Sequence, residues 1–472
     1  MAPKHIFRLL KIGGRKKLMK RYLSLAICLA MLVLIFSGCG NKQTASGGNS
    51  SNASTEENGS SNENTASANP AKATDFTFWT FQELHNQFFI DAAQRWNSKH
   101  PDEPINIKAE AYPVDDMHSK LLITLQSGQG APDIVDINVA KFSNFIKGDN
   151  IGLVPLNDII ENDKDSFLEP VLNIYKKGDN YYGIDYHVGA PVMFYNKEIL
   201  GQAGIKPEDI KTWDDLRAAG RAVLEKTGKP IITFEVSDCW CYYIMITEQK
   251  SDYFDDDGNC IINNDINKNT LQFMLDMINE GTAIATPGGS FHTEEYYGFM
   301  SKGGAASMLL PLWYMDRFTD YMPELKGKMQ IAPIPKWKDG DVDPVFGGTS
   351  TSITVQCKNQ DLAKRFLYEA KISPEGAVQI WNVLGFDPLR WDVWETDAMK
   401  QPNKFTDYFG PNIFDVVLQM KDNFYTTNIT DPRFPLASDL IAKNVLFKAL
   451  GDKSLTPAQA LDEAAQEINA SK

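Results

Sequence analysis

Asp75-Phe76-Thr77-Phe78-Trp79-Thr80-Phe81 is a run of β-branched and aromatic residues with the alternation of a strand. A helical pattern follows it, with Phe88, Phe89, Ala92, Ala93 and Trp96 spaced by one, three and four. Ile105 to Ala111 then reads as a strand and Met117 to Leu125 as a helix. Asp133 to Ile137 is another strand, followed by a helix around Phe142 to Ile146. This βαβαβα order predicts an α/β fold with a mostly parallel sheet covered on both faces. In such sheets ligands collect at the carboxyl ends of the strands, where Trp79, Phe81, Asp136 and Asn138 stand. No glycine-rich phosphate loop follows any of these strands, which argues against nucleotide binding.

Upstream, Lys16, Lys17, Lys20 and Arg21 precede an apolar run from Tyr22 to Phe36, then Ser37, Gly38 and Cys39. A basic head, an apolar run of roughly 15 residues and small residues at a cut site describe a secretory signal, too short for a membrane span. Phe36-Ser37-Gly38-Cys39 resembles the lipobox of bacterial lipoproteins, although Phe36 stands where Leu is usual. The resemblance implies cleavage after residue 38 and lipid on Cys39; the alternative is a plain secretory signal with an incidental cysteine. Translation starts at Met1 or at Met19. Residues 39–74 are rich in Ser, Asn, Thr and Gly and read as a tether. About 35 residues of coil reach roughly 30 Å.

Removing the signal's eight basic residues takes the formal charge from -14 to -22. So acidic a surface repels phosphate backbones and anionic lipid, which excludes nucleic acid as a partner class. Four cysteines lie beyond the lipobox: Cys239, Cys241, Cys260 and Cys357. Either a bridge from Cys239 or Cys241 to Cys260, or buried free thiols, suits an exported chain. A zinc site would need a second close pair, and there is none. Asp255-Asp256-Asp257-Gly258-Asn259 lacks the remaining ligands of a calcium loop and reads as a hairpin turn.

Further on, Tyr181 to Tyr186 and Val192 to Asn196 read as strands joined by a crossover at His187 to Pro191. Thr212 caps a helix, with Asp215 completing its box and Gly228 closing it. Strands are expected at Ile231 to Phe234, Ala305 to Leu310, Met329 to Pro333 and Ser352 to Val355. Beyond Leu362 the chain reads as helical. Its last helix is marked by Thr456, Pro457 and Gln459 as cap, first residue and box partner.

Five stretches carry a family likeness: Phe78-Trp79-Thr80-Phe81, Gly130 to Ile134, Val192 to Asn196, Thr212 to Leu216 and Gly303-Gly304-Ala305-Ala306. In that order they resemble family 1 extracellular solute-binding proteins of carbohydrate ABC transporters, from Phe76 to the C-terminus. His187-Val188-Gly189, Glu294 to Met300 and Leu384 to Trp394 are similar to the arabinose or arabino-oligosaccharide-binding lipoproteins of Gram-positive bacteria. The resemblance implies a two-lobed, periplasmic-binding-protein-like fold of the maltose-binding type, with crossings near Val188, Pro333 and Gly385. Lobe one is then 75–188 with 334–385, and lobe two 189–333 with 386–472.

The resemblance implies a monomeric, lipid-anchored protein on the outer face of the cell membrane. It takes a neutral sugar, needs no cofactor and delivers to permease subunits. Arabinose, a linear arabino-oligosaccharide, a maltodextrin and a xylo-oligosaccharide all fit. A glycosidase would need two facing carboxylates, which no motif here marks, and a sugar sensor would share the same binding step. Trp313 aligns with the position at which related sugar binders stack a ring, and Tyr314 follows it. The other candidate ligand contacts are Trp79, Phe81, Glu83, His85 and Asp136 near the first strands, His187 at the crossover, and Trp240 in an aromatic loop. Gly348 and Thr349 offer backbone donors, and Asp387, Arg390 and Trp391 crowd the third crossing. For Asp387, Arg390 and Trp391 a structural ion pair is the alternative.

Overall fold

The computed structural model describes residues 72–338, 341–426 and 429–471, which fall within one compact unit. The signal sequence, Cys39 and nearly all of the tether lie outside the described residues.

In chain order the strands of the two main sheets are β1 (Thr74–Thr80), β2 (Ile105–Ala111), β3 (Ile134–Asn138), β4 (Ile184–Asp185) and β5 (Pro191–Asn196), then β6 (Ile232–Phe234), β7 (Ala283–Ala285), β8 (Ser307–Pro311), β9 (Met329–Ala332) and β10 (Thr349–Ile353). The first sheet has the order β2-β1-β3-β10-β4. β1 runs parallel to β2, Thr74 opposite Ile105, and parallel to β3, Phe78 opposite Ile134. β10 enters antiparallel to β3 and β4. Helix α1 (Glu83–Lys99) buries Phe88, Phe89, Ala92, Ala93 and Trp96, the apolar positions of its period, and α2 (Val114–Ser127) buries Met117 and Leu121. Because β2 and β3 lie on opposite sides of β1, the loops after β1 and β3 diverge and leave a crevice at their carboxyl ends.

The second sheet has the order β9-β5-β8-β6-β7, with β5 antiparallel to both neighbours and β6, β7 and β8 parallel. Its helices include α3 (Trp213–Thr227), α4 (Trp240–Thr247) and α5 (Asp265–Glu280), then α6 (Met315–Tyr321), α7 (Phe434–Leu440) and α8 (Pro457–Ala470). The Thr212–Asp215 and Thr456–Gln459 capping boxes both form, and Gly228 ends α3 in the left-handed conformation.

One expectation is corrected. The strand foreseen over Tyr181 to Tyr186 is split: Asn180–Tyr181 pairs back on Lys176–Lys177, while Ile184–Asp185 joins the first sheet. Gly183 sits at the break, where a Cβ would come within 2.9 Å of the Ser350 side chain. Of the two cysteine readings, the buried free thiols hold for Cys239 and Cys241, and neither is bridged to Cys260. Asp255 to Asn259 is a turn in which the Asp255 carboxylate accepts the Asp257 and Asn259 amides at 3.1 and 2.7 Å.

The chain leaves the first sheet between β4 and β5 and returns between β9 and β10. These passages lie beside a third segment. Val188 N donates to Asp387 O at 2.9 Å, Gly347 N donates to Val188 O at 2.8 Å, and His187 forms an antiparallel bridge with Pro388. Glycine makes this packing feasible: a Cβ on Gly189, whose φ is 72°, would lie 2.3 Å from Gly347 O. Among the described residues no helix is long and apolar enough to cross a membrane.

Candidate functional site

The crevice after β1 and β3 faces the ends of β5 and β8 across the crossing segments, enclosing a cavity of about 270 Å³. The first half contributes Phe81, Gln82, Leu84 and His85 from the β1–α1 turn, Val114 from the start of α2, and Asn138 from the end of β3. Asp238 and Trp240 reach it from the start of α4. Pro311, Trp313, Asp316 and Arg317 follow one another from β8 into α6, and His292 comes from the preceding loop. His187, Phe346 to Thr349 and Phe386 form the floor along the crossings.

Rings are set in pairs on the second half's wall and along the floor. Trp313 and His292 lie nearly parallel, centroids 5.7 Å apart with 12° between planes. Trp240 leans on Phe346 at 5.7 Å, and His187 meets Phe386 edge-on at 4.9 Å. Burial holds His187 down to about 3, so it is a neutral donor–acceptor near pH 7, and desolvation with the nearby Arg317 charge also lowers His292, although that residue is exposed. Asp316 is pushed up to about 6 by burial, against the attraction of Arg317, whose Nη1 lies 2.5 Å from Oδ2. Glu235, behind the wall, and Asp238 are both pushed up by desolvation, and Glu235 is raised further by the neighbouring Asp238 charge. Flat rings that cover apolar C–H faces, with neutral imidazoles, amides and carboxylates between them, suit an uncharged polyhydroxylated ligand.

Of the sequence candidates, Phe81, His85, His187, Trp240, Trp313, Gly348 and Thr349 line the cavity. The others are placed elsewhere, each for a visible reason. Trp79, inside β1, packs edge-on against Tyr112 with Lys120 over its ring, whereas Phe81 lies past the end of the strand and is free of its alternation. Glu83 is exposed in the first turn of α1. Asp136 is saturated: Thr80, His85, Tyr186 and Thr351 all donate to its carboxylate. Tyr314 is buried and donates to Phe291 O at 2.5 Å, which steadies the loop carrying His292. Asp387 accepts from Ala190 N at 2.9 Å within the crossings.

Arg390 pairs with Asp163 and Asp392, not with Asp387, and Trp391 donates to Asp165 O. The ion pair foreseen at the third crossing therefore exists with different partners. Sequence reading missed Gln82, Asp238, His292, Asp316, Arg317, Phe346 and Phe386. Asp316 and Arg317 had a signal, since they open the helix directly after the Trp313–Tyr314 pair; His292 had none. Among the described residues no group of His, Cys, Asp and Glu is placed to hold a metal ion.

Residues 83–370 match the family model described as bacterial extracellular solute-binding protein. The chain is 50% identical over 398 residues to the arabinooligosaccharide-binding protein of Bacillus subtilis, covering 84% of this chain and 92% of that one. It is 44% identical to the protein of that name from Halalkalibacterium halodurans, covering 84% and 89%. Among solved structures it is similar to the GacH receptor of Streptomyces glaucescens, known unliganded and with acarbose, at a TM-score of 0.68 and 19% identity over 84% of this chain and 98% of that one. That last likeness is one of fold.

Proposed function

This chain belongs to the bacterial extracellular solute-binding proteins, a family that binds solutes and does not transform them, and we propose that it captures arabino-oligosaccharides between two lobes for delivery to an ABC permease. The observation that carries this reading is the ring-walled cavity between the two sheets, in a chain half identical to an arabinooligosaccharide-binding protein. The lobes are taken as 75–188 with 334–385 and 189–333 with 386–472. Rings such as Trp313, Trp240 and Phe81 cover the faces of successive sugar units, while His85, His187, Gly348 and Thr349 meet hydroxyls from the floor. Each ligand hydroxyl left unpaired costs about 1–3 kcal/mol, which is how such a site rejects an epimer. A sugar touching both lobes favours the closed form by its differential affinity, and closure is what the permease reads. Micromolar capture needs only about -8 kcal/mol in total.

Lipid on Cys39 and the tether after it hold the monomer outside the cell, within reach of the permease. Calorimetry over arabinose, arabino-oligosaccharides, maltodextrins and xylo-oligosaccharides tests the ligand. Arabinotriose is expected to bind more tightly than arabinose and to be recovered intact. Silence toward every arabino-oligosaccharide sinks the reading. Mass spectrometry of the N-terminal peptide tests the anchor, with an acylated Cys39 expected.

A further inference from the structure

Resting on the sugar-binding reading above, we infer that Asp316 is a specificity-determining residue: its Oδ1 accepts a hydrogen bond from one ligand hydroxyl, and Arg317 couples that contact to closure through Gln82.

Asp316 stands in the first turn of α6, three residues after Trp313, and lines the cavity while only 3% exposed. One of its oxygens is committed, since Arg317 Nη1 holds Oδ2 at 2.5 Å. The other, Oδ1, is buried and has no hydrogen-bond partner. Two other oxygens of the lining are already engaged, Asn138 Oδ1 accepting Ala140 N at 2.9 Å and Asp238 Oδ1 accepting Cys239 N at 2.6 Å, while His187 Nδ1 on the floor is, like Asp316 Oδ1, buried without a partner. A carboxylate oxygen accepts only, so what it lacks is a donor. A sugar hydroxyl is a donor; a ring or glycosidic oxygen is not. The unmet acceptor therefore reads the presence and direction of one hydroxyl, beside the ring that stacks on the sugar face.

Arg317 gives this contact its second consequence. Its Nη2 donates to Gln82 Oε1 at 3.3 Å, and Gln82 lies on the other side of the cavity, in the turn between β1 and α1. Asp316 and Arg317 are on one helix and stay together when the halves separate, whereas the Arg317–Gln82 bond is broken. A ligand that satisfies Asp316 keeps the Asp316–Arg317 pair aligned, and with it the only donor of that helix aimed across the cavity at Gln82 among the hydrogen bonds of the described residues.

Titration calorimetry of the full chain with arabinotriose and its monodeoxy analogues tests this, comparing wild type with Asp316→Asn and Gln82→Ala. Asp316→Asn is expected to lose roughly 10- to 100-fold in affinity for arabinotriose, yet to match wild type for the one analogue lacking the hydroxyl that Asp316 reads. Gln82→Ala is expected to lose a few-fold uniformly, with a larger radius of gyration for the liganded protein. Wild-type affinity in Asp316→Asn, or the same loss toward every analogue, overturns the inference, because a uniform loss marks a purely structural ion pair. Should Asp316→Asn not fold, the analogues on wild type alone decide: indifference to every missing hydroxyl overturns it, and a 10- to 100-fold loss confined to one supports it. Wild type that binds no arabino-oligosaccharide defeats the function reading and this inference together, whereas binding with an unchanged variant defeats this inference alone.

Discussion

Trp313 has its face matched by His292 on one side and by the cavity on the other, which leaves one face for a sugar. Truncating it to Ala is expected to weaken arabinotriose binding by about 2 kcal/mol, roughly 30-fold, with little change in the unfolding midpoint; calorimetry and thermal melts check both. A different residue governs stability. Glu248 is fully buried, accepts Trp213 Nε1 through Oε2 at 2.8 Å, and has no hydrogen-bond partner for Oε1. Lys336 is 3.8 Å away but committed to Asp343 at 2.7 Å, so desolvation wins and the carboxyl is pushed up to about 8. The folded state then holds a proton that the unfolded state releases near 4.5. The sign follows: this group's contribution is complete below about pH 4.5 and is lost as pH rises toward 8. Glu248→Gln is expected to flatten the decline between pH 5 and pH 8 by about 3–4 kcal/mol, read from urea unfolding at the two pH values.

At the scale of elements, the β1-α1-β2-α2-β3 unit was legible because each segment shows its own period, and α8 because its cap is local chemistry. The misreading at 181–186 has an equally local cause, since an apolar run does not reveal that Gly183 must pass tightly beside Ser350. The three crossing segments form the element most sensitive to substitution. Gly189→Ala must fit a methyl group 2.3 Å from Gly347 O at a φ of 72°, so it is expected to cost about 2–4 kcal/mol. Chemical denaturation checks this, and an unchanged midpoint would mean that the segments part more easily than their hydrogen bonds suggest.

For the whole molecule, four charges tie the halves together beside the cavity. Lys141, just after β3, lies 2.9 Å from Asp439 of α7 and 3.6 Å from Asp115 of α2; Lys443 lies 3.2 Å from Asp439 and 3.8 Å from Asp115. α7 belongs with the second half, where Phe434 packs on Tyr243 and Tyr253. Because Asp115 and Lys443 are exposed and Asp439 partly so, with only Lys141 mostly covered, each pair contributes about 0.2–1 kcal/mol and is screened by salt. Lys141→Ala is expected to shift the ligand-free protein toward open forms and to lower sugar affinity a few-fold. The Lys141→Asp/Asp439→Lys exchange is expected to restore both. Small-angle scattering at low and high salt checks this, and an effect independent of salt would rule out the ionic origin.

The residue pattern alone determined the α/β class and the strands that end at the cavity, because periodicity is a local property; it offered Trp79, Phe81, Trp240, Trp313, Tyr314 and Trp391 alike, and packing brings only Phe81, Trp240 and Trp313 of these to the cavity. The roles of Asp136, Asp387 and Arg390 were decided only in three dimensions. A carboxylate's use depends on which donors reach it first, and those of Asp136 and Asp387 come from Thr80, Tyr186, Thr351 and Ala190, while Arg390 is claimed by the acceptor Asp163, all far apart along the chain. Gln82, His292 and Arg317 became part of a site for the same reason: only the packing of the two sheets brings the three to one cavity.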